Sequence, residues 1–547
     1  ITLNTVTAGA LVMTNNGTSA GSDILDSGVL TVSGTSSFTT AASDGVITLD
    51  SANALTGAVT LNTNSSSTSA HATLDNGTIA LDIAASTIGG TLTLTSDHAS
   101  GIIDSGLVTV GGNLVATTDA SSGVITLDNL AVDGAFTLTP NSAGAVTIVN
   151  DAGLTLAAST MGGTFSGTAT AGNITQTGTL AITGTTTLVT SENNATITLT
   201  DTSNKFGDTG VGRIDLSTQG TTGHVTLVQG DNNGYLDFNA SEVRGNLTVT
   251  TGTGGRVRQY GIITVDGTTD ITAEDGSSNV YWEDYENVLT GAVSMKSHWA
   301  KIKNSKALEL GTIDARGLVV IARGPVTQSG VVKAVTSNSP ITAQNVAGDT
   351  NYDVTLENTE NDFKTLLVVA ADNVSLKDTN AIVLGESTVS GTYTVTAVTD
   401  NITDSGTLAI TGLATFTTSA SNATITLDET GSTFAAGVSL NTTGSSGNAT
   451  VDTGTNALDI AASTIGGNLA LTAGNHITDS GVITVGGTSS FTADVNDKTI
   501  TLTEAHVLTG AISITTTDDE ATTSNDADVS ITGINSGLEL KLGTLNI

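Results

Sequence analysis

The chain has 547 residues and a net charge of −36, which comes from 52 acidic and 16 basic side chains. Aromatic residues make up 3%, there are three prolines, and cysteine is absent, so disulfides are excluded and a tandem of immunoglobulin-like sandwiches is disfavoured. The charge disfavours nucleic acid and membrane partners, and no apolar run approaches the roughly 18 residues of a membrane span.

Two nested repeats organise the chain. Three strings are closely similar to one another: Ile24–Phe38, Ile402–Phe416 and Ile477–Phe491. Another string, at residues 80–90, returns at 457–467 and more weakly at 154–163. Inside them, a glycine followed by alternating aliphatic residues and threonine recurs about every 25 residues, and three such units make one long repeat of 72 to 78 residues.

Each glycine-led unit contains three short, β-branched strand candidates separated by Gly, Asn, Asp and Ser. Three strands and three turns make one triangular coil, and equivalent positions of successive coils then stack as parallel strands. The sequence therefore predicts an all-β parallel β-helix (a β-solenoid) of about 22 coils with three strands each. Its narrow interior is expected to suit Ala and Val better than Trp.

The first glycine-led strands set the expected stacking. We expect the following to be successive rungs of one parallel sheet: Ser36–Thr40, Ala58–Asn62, Thr91–Thr95 and Asn113–Thr117. Period-2 alternation predicts that Leu92 and Leu94 point inward and that their threonine neighbours point outward.

Four aspartates recur before a Ser-Gly pair, namely Asp26, Asp104, Asp404 and Asp479. Paired carboxylates can hydrolyse glycans, but these lie about three coils apart or more, so they are not expected to meet in one site. Hydrogen bonds to local backbone amides explain an aspartate in a turn better. We therefore predict no enzymatic activity and no catalytic residues.

The centre of the chain differs from its flanks. Three segments are predicted: regular acidic coils at 1–204, divergent basic and aromatic coils at 205–377, and regular acidic coils at 378–547. Fourteen of the 16 bases lie in the middle segment, and both Trp and all six Tyr lie between Tyr235 and Tyr393.

Aromatic faces and guanidinium groups suit the recognition of sugars and carboxylates, so the central coils are a candidate surface for binding a glycan or a partner chain. The candidate residues are Arg256, Arg258, Tyr260, Trp282, Tyr285, Trp299, Lys301 and Lys303. Their four basic side chains are expected outside the core, so serine at all four should preserve the fold. The alternative interpretation is a set of divergent coils with bulkier core residues.

An acidic loop near the C-terminal end is a candidate for binding Ca²⁺. Its residues are Asp518, Asp519, Glu520, Asp526 and Asp528. They match no EF-hand spacing, and a solvated acidic loop is the alternative. The six histidines have no metal-ligand spacing, and no other cofactor is expected.

The Ile-Thr-Asp-Ser-Gly string at 402–406 and the string at 465–472 resemble the repeats of giant bacterial surface proteins. These are the filamentous-haemagglutinin-like adhesins, which include two-partner-secreted proteins and autotransporter passengers. The resemblance implies a right-handed parallel β-helix exported to the cell surface for adhesion or as a fibre, and it supplies no catalytic residues.

The expected function is therefore a non-enzymatic, extracellular structural or adhesive rod. Its expected partners are a glycan, another cell-surface ligand or copies of itself. The chain begins and ends within a repeat, which favours a segment of something longer. A self-assembling filament, sheath or layer is the alternative. Ice binding is less favoured, because coil lengths of about 21 to 33 residues spoil a flat threonine face.

Overall fold

The predicted parallel β-helix is confirmed in a computed structural model, which has about 23 coils. It describes residues 1–207, 212–230, 234–273, 277–284, 286–517, 527–532 and 541–546. These fall into two compact units, Ile1–Gly291 and Ala292–Ile547. No helix in the described ranges is long and apolar enough to cross a membrane.

Within each unit the paired strands run parallel, and a residue is partnered by its equivalent in the next coil. The glycine-led strands stack in sets of three. In the first unit these sets are Leu11–Asn15, Ser36–Thr40 and Val59–Asn62; Leu92–Ser96, Leu114–Thr118 and Ala135–Pro140; and Phe165–Ala169, Thr186–Asn193 and Ile214–Gln219. In the second they are Tyr393–Ala397, Ala414–Ser421 and Val438–Thr443; and Leu469–Ala473, Ser489–Asn496 and Ile512–Thr517.

Longer strands open the second unit. They pair in the order Val293–Asn304, Leu308–Ala322, Val332–Ala343 and Asp362–Ala370, with register shifts between some pairs. Each of them alternates buried and outward residues over most of its length.

The predicted direction of the side chains is confirmed. Leu92 and Leu94 are fully buried, whereas Thr93 and Thr95 are half-buried on the outer face. Leu94 stacks between Leu74 of the preceding coil and Ala116 of the following coil. Such ladders of aliphatic side chains form the core, and burying each one stabilises the fold by roughly 1.5–3 kcal/mol.

Two of the three predicted stackings of the glycine-led strands are confirmed, Ser36–Thr40 on Val59–Asn62 and Leu92–Ser96 on Leu114–Thr118, but the stacking predicted between these two pairs is wrong. Ser36–Thr40 stacks on Val59–Asn62, but the next strand, Leu92–Ser96, stacks on Ala72–Asp75 instead. The reason lies at 80–90, where the coil bends and pairs with both ends of Val59–Asn62. Each bend of this kind moves the next set of three strands to another column.

A buried serine holds this bend. Ser86 accepts a hydrogen bond from the Leu61 backbone N–H at 3.0 Å and donates one to the Ala84 carbonyl at 2.8 Å. Its equivalent in the second copy of the string, Ser463, makes the same two bonds with Leu440 and Ala461. The repeated string is therefore a corner whose serine bonds the preceding coil.

The recurring aspartates bond backbone amides, as predicted, but the amides belong to the next coil rather than to the local turn. Asp104 accepts from Asp128 N at 3.1 Å and Asn129 N at 2.9 Å. Gln259 occupies the equivalent position and accepts from Asp284 N at 3.3 Å. The full series consists of Asp26, Asp104, Gln176, Gln259, Gln328, Asp404 and Asp479.

Asp378 is buried at a second kind of position that bonds a backbone amide, where other coils carry a carboxamide. Its carboxylate accepts from the Phe363 N–H at 2.7 Å, as the Asn76 oxygen accepts from Leu55 N and the Asn150 oxygen from Val132 N. Desolvation raises the pKa of Asp378 to about 6, above the 3.8 expected in the unfolded chain.

Because the folded-state pKa of Asp378 is raised, the contribution of this group to stability is most favourable below about pH 4 and becomes less favourable as the pH rises to about 6. We expect Asp378→Asn to stabilise the protein at pH 7.5 by on the order of 3 kcal/mol and to have little effect at pH 4. Chemical denaturation at both pH values measures this. Asp494→Asn, an exposed change of equal charge, is the control, and an equal effect of Asp378→Asn at both pH values would contradict the assignment.

A candidate binding surface in the first unit

Three stacked strands of the first unit, Tyr235–Phe238, Arg256–Gln259 and Asn279–Trp282, build the candidate surface. Their register places Arg258 between Asp237 of the preceding coil and Tyr281 of the following coil. Inward residues alternate with these polar ones and fill the core, so the outward row is fixed by the solenoid itself.

Arg258 and Asp237 form a two-point ion pair. The Arg258 Nε lies 2.7 Å from Asp237 Oδ1, and an Arg258 terminal nitrogen lies 2.6 Å from Asp237 Oδ2. Asp237 is only 2% exposed, whereas 27% of the Arg258 side chain is exposed. Hydrogen bonding to Asp237 raises the pKa of Arg258, and its guanidinium is the group that neutralises this buried carboxylate.

Arginine and tyrosine side chains interleave around this pair. The Arg258 guanidinium carbon lies 4.1 Å from the Tyr235 ring centre and 5.5 Å from that of Tyr260. Arg213 lies 4.1 Å from the Tyr260 ring centre, and Arg256 lies 5.6 Å from that of Tyr235. These are cation–π distances, so each ring is held in place by guanidinium groups. We call these five residues the Arg–Tyr stack.

A shallow cleft of about 210 Å³ borders the stack. It is lined by Arg258, Gln259, Tyr260, Tyr281 and Glu283. Tyr260 is 48% exposed, and Glu283 is exposed on the rim. The cleft therefore combines aromatic rings with one carboxamide and two charged groups.

The second unit has a cleft of about 350 Å³ at the equivalent place in its repeat. There Gln328 accepts a hydrogen bond from Asn358 N at 3.3 Å, as Gln259 does from Asp284 N. The lining residues are Thr327, Gln328, Ser329, Thr355, Glu357 and Asn358. Two copies of the repeat thus have a cleft at this position, and the cleft of the first unit adds aromatic and guanidinium groups.

The structure brings together three of the predicted binding residues, Arg256, Arg258 and Tyr260. The prediction for Trp282 is wrong, because its side chain is fully buried and packs edge-on against Phe238 at 6.1 Å between ring centres. The interior therefore accepts a tryptophan where a coil two rungs away supplies another ring. Tyr285 lies outside the described residues.

The other predicted residues lie in the second unit, on the outward face of Val293–Asn304. Trp299, Lys301 and Lys303 alternate there with buried Ala300 and Ile302. The Trp299 ring lies over Gly317 of the next coil, where an added Cβ would come within 2.4 Å of it. This tryptophan thus packs flat on the outer wall, and that packing requires a glycine at position 317.

Several members of the surface were missed by the sequence analysis. Arg213, Tyr235, Asp237, Tyr281 and Glu283 are all part of it. Spacings of 21 and 23 residues link Tyr235 to Arg256 and Arg258 to Tyr281, which matches one coil. Aligning successive coils position by position would have revealed these columns.

Of the predicted Ca²⁺ loop, only Asp528 is described, and Asp518, Asp519, Glu520 and Asp526 lie outside the described residues. In the ranges that the structure describes, no three His, Asp or Glu side chains converge to hold a metal ion. Among the histidines, His506 is buried, with its Nε2 3.1 Å from Asp479 Oδ2, and desolvation lowers its pKa. His506 therefore supports a corner of the solenoid rather than a surface.

Comparison with known families identifies the long repeat. Seven consecutive segments match the family described as repeats of unknown function (DUF5649): 1–62, 69–139, 143–211, 222–296, 298–370, 371–441 and 446–515. The chain belongs to this family. Four of the five sets of three glycine-led strands coincide with one copy to within two residues, whereas Ile214–Gln219 of the remaining set follows the third copy. Each copy carries one Asp or Gln of the amide-bonding series. No curated protein and no solved structure matches the chain.

Proposed function

We propose that this DUF5649 protein is a non-enzymatic structural and adhesive component of a bacterial cell surface. The observation that carries the proposal is the Arg–Tyr stack, an outward aromatic and basic cluster on an otherwise acidic solenoid. Aromatic residues and arginine supply most binding energy at protein surfaces that recognise partners. The resemblance to filamentous-haemagglutinin-like adhesins supports the same function.

The recurring aspartates support a structural function. The carboxylates of Asp26, Asp104, Asp404 and Asp479 bond backbone amides 24 or 25 residues further along the chain. In these roles they hold one coil to the next. A side chain engaged in this way serves a scaffold better than an acid–base reaction.

Self-assembly is the second candidate, and the distribution of charge favours it. Residues 1–204 carry 14 acidic side chains and no basic one, whereas residues 292–348 carry seven basic side chains against two acidic ones. An acidic segment of one copy would attract the basic segment of another, and salt would screen that attraction. Sedimentation at low and high salt distinguishes this filament-forming function from adhesion by single chains.

Adhesion is tested with beads coated with the full chain and held under flow on monolayers of cells. We expect wild-type beads to be retained and the double variant Arg213→Gln/Arg256→Gln to lose most retention, since the described structure gives these two arginines no ion pair. Added salt should mimic the loss.

The matched control is Lys296→Gln/Lys333→Gln, which removes two exposed bases of the second unit and should retain wild-type adhesion. Wild-type beads that detach as readily as albumin-coated beads would contradict the adhesive function. Equal loss in both double variants would indicate an effect of net charge rather than of the Arg–Tyr stack.

A further inference from the structure

We propose that Trp299 and Arg316, on the outer face of the second unit, bind one acid-bearing sugar unit of an anionic polysaccharide. The inference goes beyond the proposed adhesive function, which rests on the Arg–Tyr stack of the first unit. Two stacked strands, Val293–Asn304 and Leu308–Ala322, carry the site. They bring together a flat indole ring, a neighbouring guanidinium and an excess of exposed basic side chains.

The Trp299 ring forms a flat platform on the wall. A Cβ added at Gly317 would lie 2.4, 2.6 and 2.7 Å from three adjacent atoms of the six-membered ring, Cζ3, Cε3 and Cη2. Because these three distances are so similar, a face of the ring, rather than its edge, covers Gly317. Trp299 is half-buried, which fits a ring with one face on the wall and the other toward solvent.

The orientation of this ring is fixed before any ligand arrives. His298 makes an edge-to-face contact with it, at 6.5 Å between ring centres and 80° between ring planes. The next residue, Ala300, is buried in the core and holds the strand in register. A side chain that is already fixed loses little conformational entropy on binding. The apolar C–H face of a pyranose therefore packs on the indole at low entropic cost, with the polar groups of the sugar at the ring edge.

Arg316 supplies the group that recognises the acid. It immediately precedes Gly317 and is exposed, and its backbone carbonyl accepts a hydrogen bond from the Thr336 hydroxyl at 3.1 Å. In the part of the chain that the structure describes, the Arg316 guanidinium forms no ion pair. A guanidinium can present two parallel N–H groups to a carboxylate or a sulfate, so Arg316 suits an acid group on a sugar that stacks on the neighbouring ring.

The charges around Arg316 favour an anionic ligand over a neutral one. Residues 292–348 are all described, and they carry four exposed bases against one exposed acid, Asp314. The exposed bases are Lys296, Lys306, Arg316 and Lys333. Asp314 is the register partner of both Lys296 and Lys333, so its charge is shared between these lysines and the face stays positive at Arg316. The acidic flanks act weakly here, because salt screens charges beyond about 8 Å at physiological ionic strength.

Titration of the full chain with three trisaccharides tests the inference: trigalacturonate, its trimethyl ester, and a galactose trimer sulfated at O6. Calorimetry gives the affinity, and quenching of tryptophan fluorescence reports on Trp299, because Trp282 is buried. We expect at least one of the two anionic trimers to bind at least about tenfold more tightly than the neutral ester, since charge-assisted hydrogen bonds are the stronger ones. The carboxylated and sulfated arms distinguish the two sources of the acid group.

Gly317→Ala is the sharpest variant, because it keeps the tryptophan and displaces its ring. The added methyl carbon would lie 2.4 Å from the ring, while the backbone at 317 is not in the left-handed region. We expect a loss of affinity of at least about tenfold, as for Trp299→Thr. Arg316→Gln should reduce binding of the anionic trimers to the level of the ester.

Lys364→Gln, which removes another exposed base of the second unit, is the matched control and should bind as wild type. The double variant Arg213→Gln/Arg256→Gln should also bind the trimers as wild type, which separates this site from the Arg–Tyr stack. Thermal melting of each variant confirms that the fold is intact.

The inference fails if neither anionic trimer binds, if the ester binds as tightly as both of them, or if Gly317→Ala and Trp299→Thr keep wild-type affinity. If no trimer binds but Trp299→Thr abolishes self-association at low salt, the platform is a contact between copies and the sugar site is overturned. Beads that adhere to cells while no trimer binds would overturn only the sugar site and leave the adhesive function standing.

Discussion

Arg258→Met is expected to lower the free energy of unfolding by about 3–5 kcal/mol, because it leaves the buried Asp237 carboxylate without its cation. This differs from the expectation that serine at positions 256, 258, 301 and 303 would preserve the fold. Arg258 is outward, yet it is the partner of a side chain that is 2% exposed. Denaturant unfolding of the full chain, combined with hydrogen exchange of residues 235–282, measures the loss.

The matched control removes both charges. In Arg258→Met/Asp237→Leu no carboxylate remains buried, so most of the lost stability should return. Arg256→Met should cost much less, because Arg256 is exposed and its guanidinium, as far as the described residues go, meets the Tyr235 ring and no carboxylate. If Arg258→Met unfolds at the same denaturant concentration as wild type, then Asp237 does not depend on this ion pair.

Leu94→Asp is expected to have an equally large effect, of at least about 4 kcal/mol, since it removes a buried aliphatic group and introduces an unpaired charge. Leu94 stacks on Leu74 and Ala116 within a continuous ladder. Thr93→Asp, one residue away on the outer face, should cost less than about 1 kcal/mol.

Each coil contacts chiefly its neighbours, so the damage from Leu94→Asp should be greatest in the coils around residues 72–118. Hydrogen exchange followed by mass spectrometry resolves it. A variant with Thr93→Asp that unfolds more readily than one with Leu94→Asp would mean that the two faces of this strand are exchanged.

Much of the fold was predictable, because a solenoid repeats one local pattern. The spacing of glycine-led units and the alternation around Leu92 and Leu94 indicated parallel coils with leucine inside, and both features are confirmed. The bend at 80–90 was not predictable from periodicity. It depends on Ser86 bonding an amide of the preceding coil, which is a contact between residues 25 positions apart.

The candidate surface was predictable only in part. Composition drew attention to Arg256, Arg258 and Tyr260, because bases and rings are rare elsewhere in the chain. It could not separate Trp282, which faces the core, from Tyr281, its outward neighbour. That distinction depends on the register of one strand. The function of Asp237 becomes visible only when the next coil is aligned with it, because its partner Arg258 lies there.

The bonding of each coil to its neighbours lets the chain change length in whole family copies. The same contact forms at equivalent junctions between copies within each unit. Ser86 and Ser463 both accept a hydrogen bond from the last glycine-led strand of the preceding copy. Gain or loss of one entire copy, by duplication or recombination between repeated gene segments, would recreate the same junction. A change of one or two coils would instead break the sets of three strands and misplace every bend that follows.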